Sequence, residues 1–251
     1  MDQDFQLFDL SKLNGWIFNN SSDSQIQSQI LKLGRSNYTK PWSDPYIHYH
    51  SHTHELYLLS QGEFKIIVNN VMILMKGLSL LLVQPKVPHI LIGGTGTIQH
   101  YMMRLPVEKD DKIITKKIGK KDIQLYLHNF KEQNAMLDKS LGFYSDLNKL
   151  QNCNKWLLGK NYSYNAPFTL GCISIKDGDL TGLELIEEDD EYDYKYILGI
   201  TGSIKTIIKD LSFTVTPHQL LRLQERVKIN VEILEQPLLL IIIRISSSSF
   251  D

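Results

Sequence analysis

The stretch His48-Tyr49-His50-Ser51-His52-Thr53-His54-Glu55 sets four histidines in strict alternation ahead of a glutamate. On an extended strand alternate side chains share one face, so all four imidazoles are predicted to point the same way. That arrangement is wasteful in an apolar core, where each imidazole left without a hydrogen-bond partner carries a desolvation cost. It suits a metal site, because neutral imidazole is a common ligand of first-row transition metals. Downstream come short apolar or alternating runs at 56–59, 64–68, 71–75, 78–83 and 99–105. Gln61-Gly62, Asn69-Asn70, Lys76-Gly77 and the glycine-rich 93–96 punctuate them as turns. Many short strands at this spacing predict an antiparallel sandwich or closed barrel.

The same rhythm returns once. Residues 55–105 set beside 195–245 align without a gap, Gly62 meeting Gly202 and Lys65 meeting Lys205. Arg104 meets Arg244 at the far end. A repeat of this length predicts two barrels of one fold. Between them, Leu125, Leu127, Phe130, Met136, Leu137, Leu141, Phe143 and Leu147 fall near helical spacing, which predicts a short helical linker over 119–159. The expected division is therefore 1–118, 119–159 and 160–251. The tail Ser246–Ser249 reads as frayed.

The chain of 251 residues carries 27 Lys+Arg against 28 Asp+Glu, a formal net charge of −1. Such a balance supplies no long-range field for nucleic acid or an anionic membrane. Lys116, Lys117, Lys120 and Lys121 cluster without interleaved aromatics and read as a solvated segment. The start, Met1-Asp2-Gln3-Asp4, is acidic where a secretory signal would be basic. The apolar run 238–243 is far too short for a transmembrane helix and reads as a buried strand. Two lone cysteines, Cys153 and Cys172, fit core positions in a reducing cytoplasm, the expected location.

His48-x-His50, then Glu55, then Gly62 has the spacing of the first motif of the cupin superfamily. The segment from Gly77 through Pro85 and Pro88 to His89 resembles the second motif as it stands in the sugar-sensing domains of AraC-type regulators. The general cupin pattern has a glycine between the proline and the histidine, where this chain has Lys86. The interval from Gly77 is also one residue long, so a bulge is expected there. Together the motifs cover about 45 residues of the first half. The resemblance implies an all-β fold of two tandem cupin barrels, double-stranded β-helices of jelly-roll type. It implies a metal held by His48, His50, Glu55 and His89. A register using His50 and His52 leaves only two residues before Glu55 and fits the motif less well. Three nitrogens and one oxygen suit Fe, Mn, Ni, Co or Zn as a divalent ion with positions open for substrate.

In the second half the equivalent positions are Glu188, Asp190, Lys195 and Ile229, and a lysine with an isoleucine cannot rebuild the set. The acidic run Glu187–Glu191 reads as a solvated turn and His218 as a surface residue. The second barrel is expected to be structural or dimerising, with a homodimer as the assembly that would follow.

Two functions from different classes fit. One is a metal-dependent enzyme on a small molecule, an isomerase or epimerase of a keto or sugar compound, or a dioxygenase. His52, His54, Tyr57 and His100 are its candidates for proton transfer. The other is a non-enzymatic sensor that binds a sugar-like ligand. The strand-rich C-terminal half shows no recognition-helix pair, so a DNA-binding module is not expected.

Overall fold

A computed structural model describes residues 5–19, 26–27, 30–40, 42–93, 96–108, 111–119, 122–123, 127, 130, 137–150, 152–159, 166–176, 183, 186, 192–224 and 227–246. In the first part of the chain the strands are β1 (Phe5–Asp9), β2 (Gly15–Asn19), β3 (Ile26–Gln27), β4 (Lys32–Tyr38), β5 (Tyr46–His50), β6 (His54–Gln61) and β7 (Glu63–Val68). They continue as β8 (Val71–Lys76), β9 (Ser79–Val83), β10 (His89–Gly93), β11 (Ile98–Leu105), β12 (Lys112–Lys117) and β13 (Gly142–Asp146). After a 3-10 turn, Leu147–Lys149, come β14 (Cys153–Leu158), β15 (Phe168–Ile175), β16 (Tyr194–Ile208), β17 (Leu211–Val215), β18 (Gln219–Gln224) and β19 (Asn230–Ile245).

Backbone contacts divide the chain into Leu13–Lys149 and a second unit made of Met1–Lys12 with Leu150–Asp251. In the first unit, β12-β5-β10-β7-β8 face β13-β9-β6-β11-β4-β2-β3. Side chains that alternate inward from both sheets, among them Tyr57, Leu59, Phe64, Ile66 and Leu81, fill the space between. In the second unit one sheet runs β1-β18-β16-β19-β15-β14, with β17 added on β16. Its long strands β16 and β19 shift register near Gly199–Ile204, and such bulges let one strand serve both walls of a barrel.

The repeat seen in the sequence holds residue by residue in the pairing. Tyr57 lies opposite Met102, and at the same offset Ile197 lies opposite Ile242. Gly62 and Gly202 both have positive φ, 87° and 67°. A Cβ would meet the Thr97 carbonyl oxygen at 2.2 Å in one and the Glu235 carbonyl oxygen at 2.5 Å in the other. Only glycine fits these two corners.

The repeats exchange their first strands. β13 pairs β9 with Asp146 opposite Ser79, and β1 pairs β18 with Asp9 opposite Gln219. Both end alike. Asp9 Oδ1 accepts the Ser11 N–H at 2.8 Å, and Asp146 Oδ1 accepts that of Asn148 at 3.1 Å. The next amide then donates back to the partner barrel's turn, Leu10 to His218 O at 2.8 Å and Leu147 to Leu78 O at 2.9 Å. β1 and β13 are thus equivalent openings of the two repeats, each built into the barrel made mostly by the other.

The helical linker expected over 119–159 is not what the described residues form. Phe143 lies in β13, Leu147 in the 3-10 turn, and 153–158 is β14. Their apolar spacing is overridden because β9 offers a row of backbone donors and acceptors that β13 satisfies. Leu127 and Phe130 pack with Ile123 on the apolar side of Ile67, Met72 and Ile90, whereas Leu125 and Met136 lie outside the described residues. Of the lysine cluster, Lys116 and Lys117 are exposed on β12, and Lys120 and Lys121 lie outside the described set. Both cysteines are free thiols, Cys172 buried. Among the described residues no helix is long and apolar enough to cross a membrane.

Candidate metal centre

The alternating histidines do not stay on one strand. The Asp111 carboxylate accepts the backbone N–H of Ser51 at 2.7 Å, of His52 at 3.0 Å and of Thr53 at 3.2 Å. Three successive amides turned toward one carboxylate cannot join a ladder, so β5 stops at His50 and the chain folds back into β6. The expectation of four imidazoles on one face is therefore corrected. His48 and His50 are buried inside the first barrel, at 1% and 4% exposure. His52 stands in solvent with Nδ1 2.8 Å from Glu108 Oε2. His54 opens β6 on the face opposite Glu55, held by the Leu105 backbone and the Gln84 side chain.

Glu55 follows on β6, and His89 opens β10 directly across from His48. Glu55 and His89 are 1% and 2% exposed. Glu55 Oε2 lies 2.8 Å from His89 Nε2, 3.3 Å from His50 Nε2 and 3.6 Å from His48 Nε2. The donor atoms of His48, Glu55 and His89 all fall within 4.8 Å of one another. Donors bonded to a small ion at about 2.1 Å are themselves about 3.0–3.4 Å apart, so these separations fit one.

The far sides of two rings are tied down. His89 Nδ1 lies 2.9 Å from the Val87 carbonyl oxygen, and donation to it would leave Nε2 as the ligand atom once an ion replaced the Nε2 contact with Glu55. His50 Nδ1 is 3.3 Å from Asp111 Oδ2. Partners of this kind fix tautomer and ring orientation at metal sites. Among the described residues neither nitrogen of His48 finds a hydrogen-bond partner, nor does Nε2 of His50, although all are buried. Burial pushes the His48 pKa down to about 4, so the ring is neutral at pH 7 and can act as a ligand.

Glu55 is held by its other oxygen. Arg104, opposite it on β11, donates from Nε at 2.8 Å and from Nη2 at 2.7 Å, both to Oε1. Burial alone would raise this carboxyl. The guanidinium and the three imidazoles overcome that and hold it well below the usual carboxylate range. Oε2 remains for an ion. Tyr57 follows Glu55 two residues along β6, on the same face, and packs edge-on to His89, ring centroids 6.2 Å apart. Its own burial, then the Glu55 charge, keeps the hydroxyl protonated.

The turn before His89 accounts for the departure in the second motif. Lys86 has φ 64°, the region where glycine is the default, and its N–H donates to His50 O at 2.6 Å. The extra residue is absorbed in this turn, not in a strand bulge.

Of the residues singled out from the sequence, the structure brings together His48, His50, Glu55 and His89, with Tyr57 beside them. His52 and His54 point elsewhere. His100 pairs with Leu59, four residues along β11 from the row of Arg104 and Glu55. It is fully buried among Phe64, Tyr38 and Trp42, at centroid distances of 5.5, 6.0 and 6.1 Å. Burial pushes its pKa down to about 4. The unfolded chain takes up this proton first, so stability is full above about pH 6.5 and falls as pH drops to 4, by about 3 kcal/mol. His100→Leu, which copies Leu240 of the second barrel, is expected to reduce that slope in urea titrations across the range, with the share of His48 remaining. Equal slopes for both proteins would show that the buried ring is not the cause.

Arg104 and Asp111 were not picked out from the sequence. Arg104 showed only as a match to Arg244, and nothing near Asp111 sets it apart from a surface acid. In the second barrel Lys195 takes the Glu55 place and Ile229 the His89 place, both buried. Lys195 Nζ donates to the Ile186 carbonyl. Glu188 and Asp190 lie outside the described residues. An aliphatic cluster that includes Ile197, Ile204, Leu221, Leu240 and Ile242 fills this barrel.

No family model matches the sequence. No curated protein matches it either. Solved structures do. The Ylba protein of E. coli aligns over 96% of this chain and 90% of its own, with TM-score 0.62 and 6% identity. A point mutant of the salicylate 1,2-dioxygenase from Pseudoaminobacter salicylatoxidans aligns over 96% and 83%, with TM-score 0.60 and 10% identity. Oxalate decarboxylase from Bacillus subtilis aligns over 96% and 76%, with TM-score 0.59 and 10% identity. These neighbours are cupin-fold proteins, and the chain has the tandem cupin fold.

Proposed function

We propose that the first barrel binds one divalent transition ion through His48, His50, Glu55 and His89, and that the protein is a small-molecule enzyme built on that centre. The observation that carries the reading is the convergence of three buried imidazole nitrogens on one carboxylate oxygen. The outer atoms of His50, His89 and Glu55 are meanwhile engaged elsewhere. The ion would supply Lewis-acid polarisation of a substrate oxygen. Asp111 and the Val87 carbonyl orient two of the rings, Arg104 steers Glu55 toward one-oxygen binding, and Tyr57 keeps its proton as a donor.

An isomerase and a dioxygenase both fit such a centre. The placement of His52, His54 and His100 away from it leaves Tyr57 alone among the proton-transfer candidates, and Tyr57 is protonated. That favours oxygen chemistry, which needs open positions on an ion more than a base. The salicylate dioxygenase neighbour supports the same side. A metal-free ligand-binding module is the second reading, favoured by Arg104, which compensates the Glu55 charge without any ion.

Purified protein is expected to retain about one transition ion per chain by elemental analysis. His50→Ala is expected to lower affinity for Co(II), read by its visible absorption, by at least the 10–100-fold typical of losing outer support alone. A protein that takes up no ion, with His50→Ala indistinguishable from it, would leave the second reading. Oxygen uptake with candidate substrates separates dioxygenase from isomerase.

A further inference from the structure

We propose that Lys32 and Lys112 form a carboxylate-binding subsite beside the centre of the first barrel, so that the molecule taken there is a small carboxylic acid bound as its anion. This rests on the metal-centre reading for the use of the site, but its binding arm can be tested separately.

The two lysines reach the ligand set from opposite sheets. Lys32 lies opposite Arg104, and Arg104 opposite Glu55, in one row across β4, β11 and β6. Lys112 lies opposite His50 across β12 and β5. The ligands are buried, but Lys32, Arg104, Lys112 and Tyr46 are each partly exposed, so they form the solvent-facing side of the centre. Aromatic rings hold both ammonium groups in place. Lys32 Nζ sits 4.4 Å from the centroid of the Trp16 indole, which also lies under Arg104 at 5.3 Å. Gly34 makes room for that ring, since a Cβ there would come within 2.8 Å of it. Lys112 Nζ lies 4.4 Å from the Tyr46 ring centroid and donates to its hydroxyl at 3.2 Å.

Arg104 is taken up by both of its bonds to Glu55. Among the described residues neither lysine makes an ion pair. Burial lowers the Lys32 pKa and Arg104 lowers it further, with the Glu55 charge opposing and Lys112 adding to the shift. Of the other carboxyls in this region, Asp44 is raised by burial against the opposing pull of Lys112, and Asp111 is committed to the amides of Ser51, His52 and Thr53. A divalent ion would add to the positive excess, and an entering anion relieves it.

The geometry favours carboxylate over phosphate. Phosphate sites are typically built from converging backbone N–H groups or arginine forks, and here the one arginine fork is spent on Glu55. Two point-charge ammoniums suit a small anion. Among the described residues the second barrel does not repeat the device on the equivalent row. The second barrel keeps the arginine over a tryptophan, Arg244 at 4.3 Å from the Trp156 centroid, but Thr169 stands opposite Arg244 where Lys32 stands opposite Arg104.

The test is calorimetric titration of the full chain, with and without added Co(II). The probes are pyruvate, oxalate and benzoate, the neutral analogue pyruvamide, and inorganic phosphate. At least one carboxylate is expected to bind about tenfold or more tightly than pyruvamide. Lys32→Gln and Lys112→Gln are each expected to weaken it about tenfold, with Lys32→Arg close to the parent. Thermal melts check that each variant is folded. Carboxylate binding that is unmoved in both Gln variants overturns the proposal, even if the protein holds its ion. So does tighter binding of phosphate than of every carboxylate, or no saturable carboxylate binding at all. Lysine-dependent carboxylate binding in a protein that takes up no Co(II) upholds the subsite and rejects the metal centre.

Discussion

A chain that starts at Leu13 is expected to lose its second barrel and keep its first. The strand Phe5–Asp9 is not an extension of the barrel that follows it in sequence. It pairs along its whole length with β18, residue for residue from Phe5 against Leu223 to Asp9 against Gln219. Leu10 is fully buried and Phe5 stacks on Phe213 at 5.1 Å between ring centroids. Losing one fully buried leucine, one stacked phenylalanine and a strand's backbone bonds costs on the order of 5 kcal/mol or more. That rivals the whole stability of an ordinary domain. The first barrel has no share in β1, and its own edge is closed by β13. Calorimetry on the truncated chain should therefore show the loss of one transition and the survival of the other. Trp156 fluorescence should report the second barrel as unfolded, and a peptide covering residues 1–12 should restore it in trans. Two unchanged transitions would mean that β1 contributes little to the unit that holds it.

Arg104→Met is expected to destabilise the first barrel by about 3–5 kcal/mol in the absence of metal, because it leaves a buried carboxylate without its partner. For a unit of this size that lowers Tm by on the order of 10 °C. Two dependences identify the cause. Saturating Co(II) or Zn(II) should shrink the deficit, since a cation on Oε2 takes over part of the compensation. Lowering the pH should shrink it as well. In the parent, Glu55 has a depressed pKa, and its contribution is present above about pH 4.3 and is lost as pH falls through the folded value. In the variant, burial is no longer opposed by the guanidinium, so Glu55 takes up a proton at higher pH and sheds the unpaired charge. A deficit that is the same at pH 7 and pH 4, with and without metal, would mean that Glu55 is not a buried charge held by Arg104.

The repeat was legible in the sequence because it is written in turns. Gly62 and Gly202 mark corners that no other residue can take, so their spacing survives while Tyr57 becomes Ile197 and His100 becomes Leu240. The candidate set was legible because His48, His50 and Glu55 are close in sequence and the strand period puts the first two together. The same period misread His52 and His54. What ends the strand is Asp111, some sixty positions away, and alternation carries no sign of it. Arg104 and Lys32 were hidden for a related reason. Each sits in its strand as one polar residue among several, and only the row Lys32–Arg104–Glu55 shows what it faces. The expected helix failed at Phe143 and Leu147, where a few well-spaced apolar residues fit a helix and a strand about equally. The choice fell to an open sheet edge that the local sequence does not contain.

The exchange of first strands also sets an order of assembly during synthesis. β1 emerges from the ribosome early, yet every other strand of the barrel that receives it is made after residue 150. The barrel of Leu13–Lys149 can close as soon as β13 has emerged, in keeping with the general tendency of N-terminal domains to fold first. Until then β9 has an open edge on one side, and β1 waits longer still with both of its edges unpaired. A strand in that position is an invitation to pair with the wrong neighbour. β1 carries Gln6 and ends in Asp9 beside the exposed Leu7, so it is short and only partly apolar while it waits. The later barrel is closed by a strand translated before the earlier one.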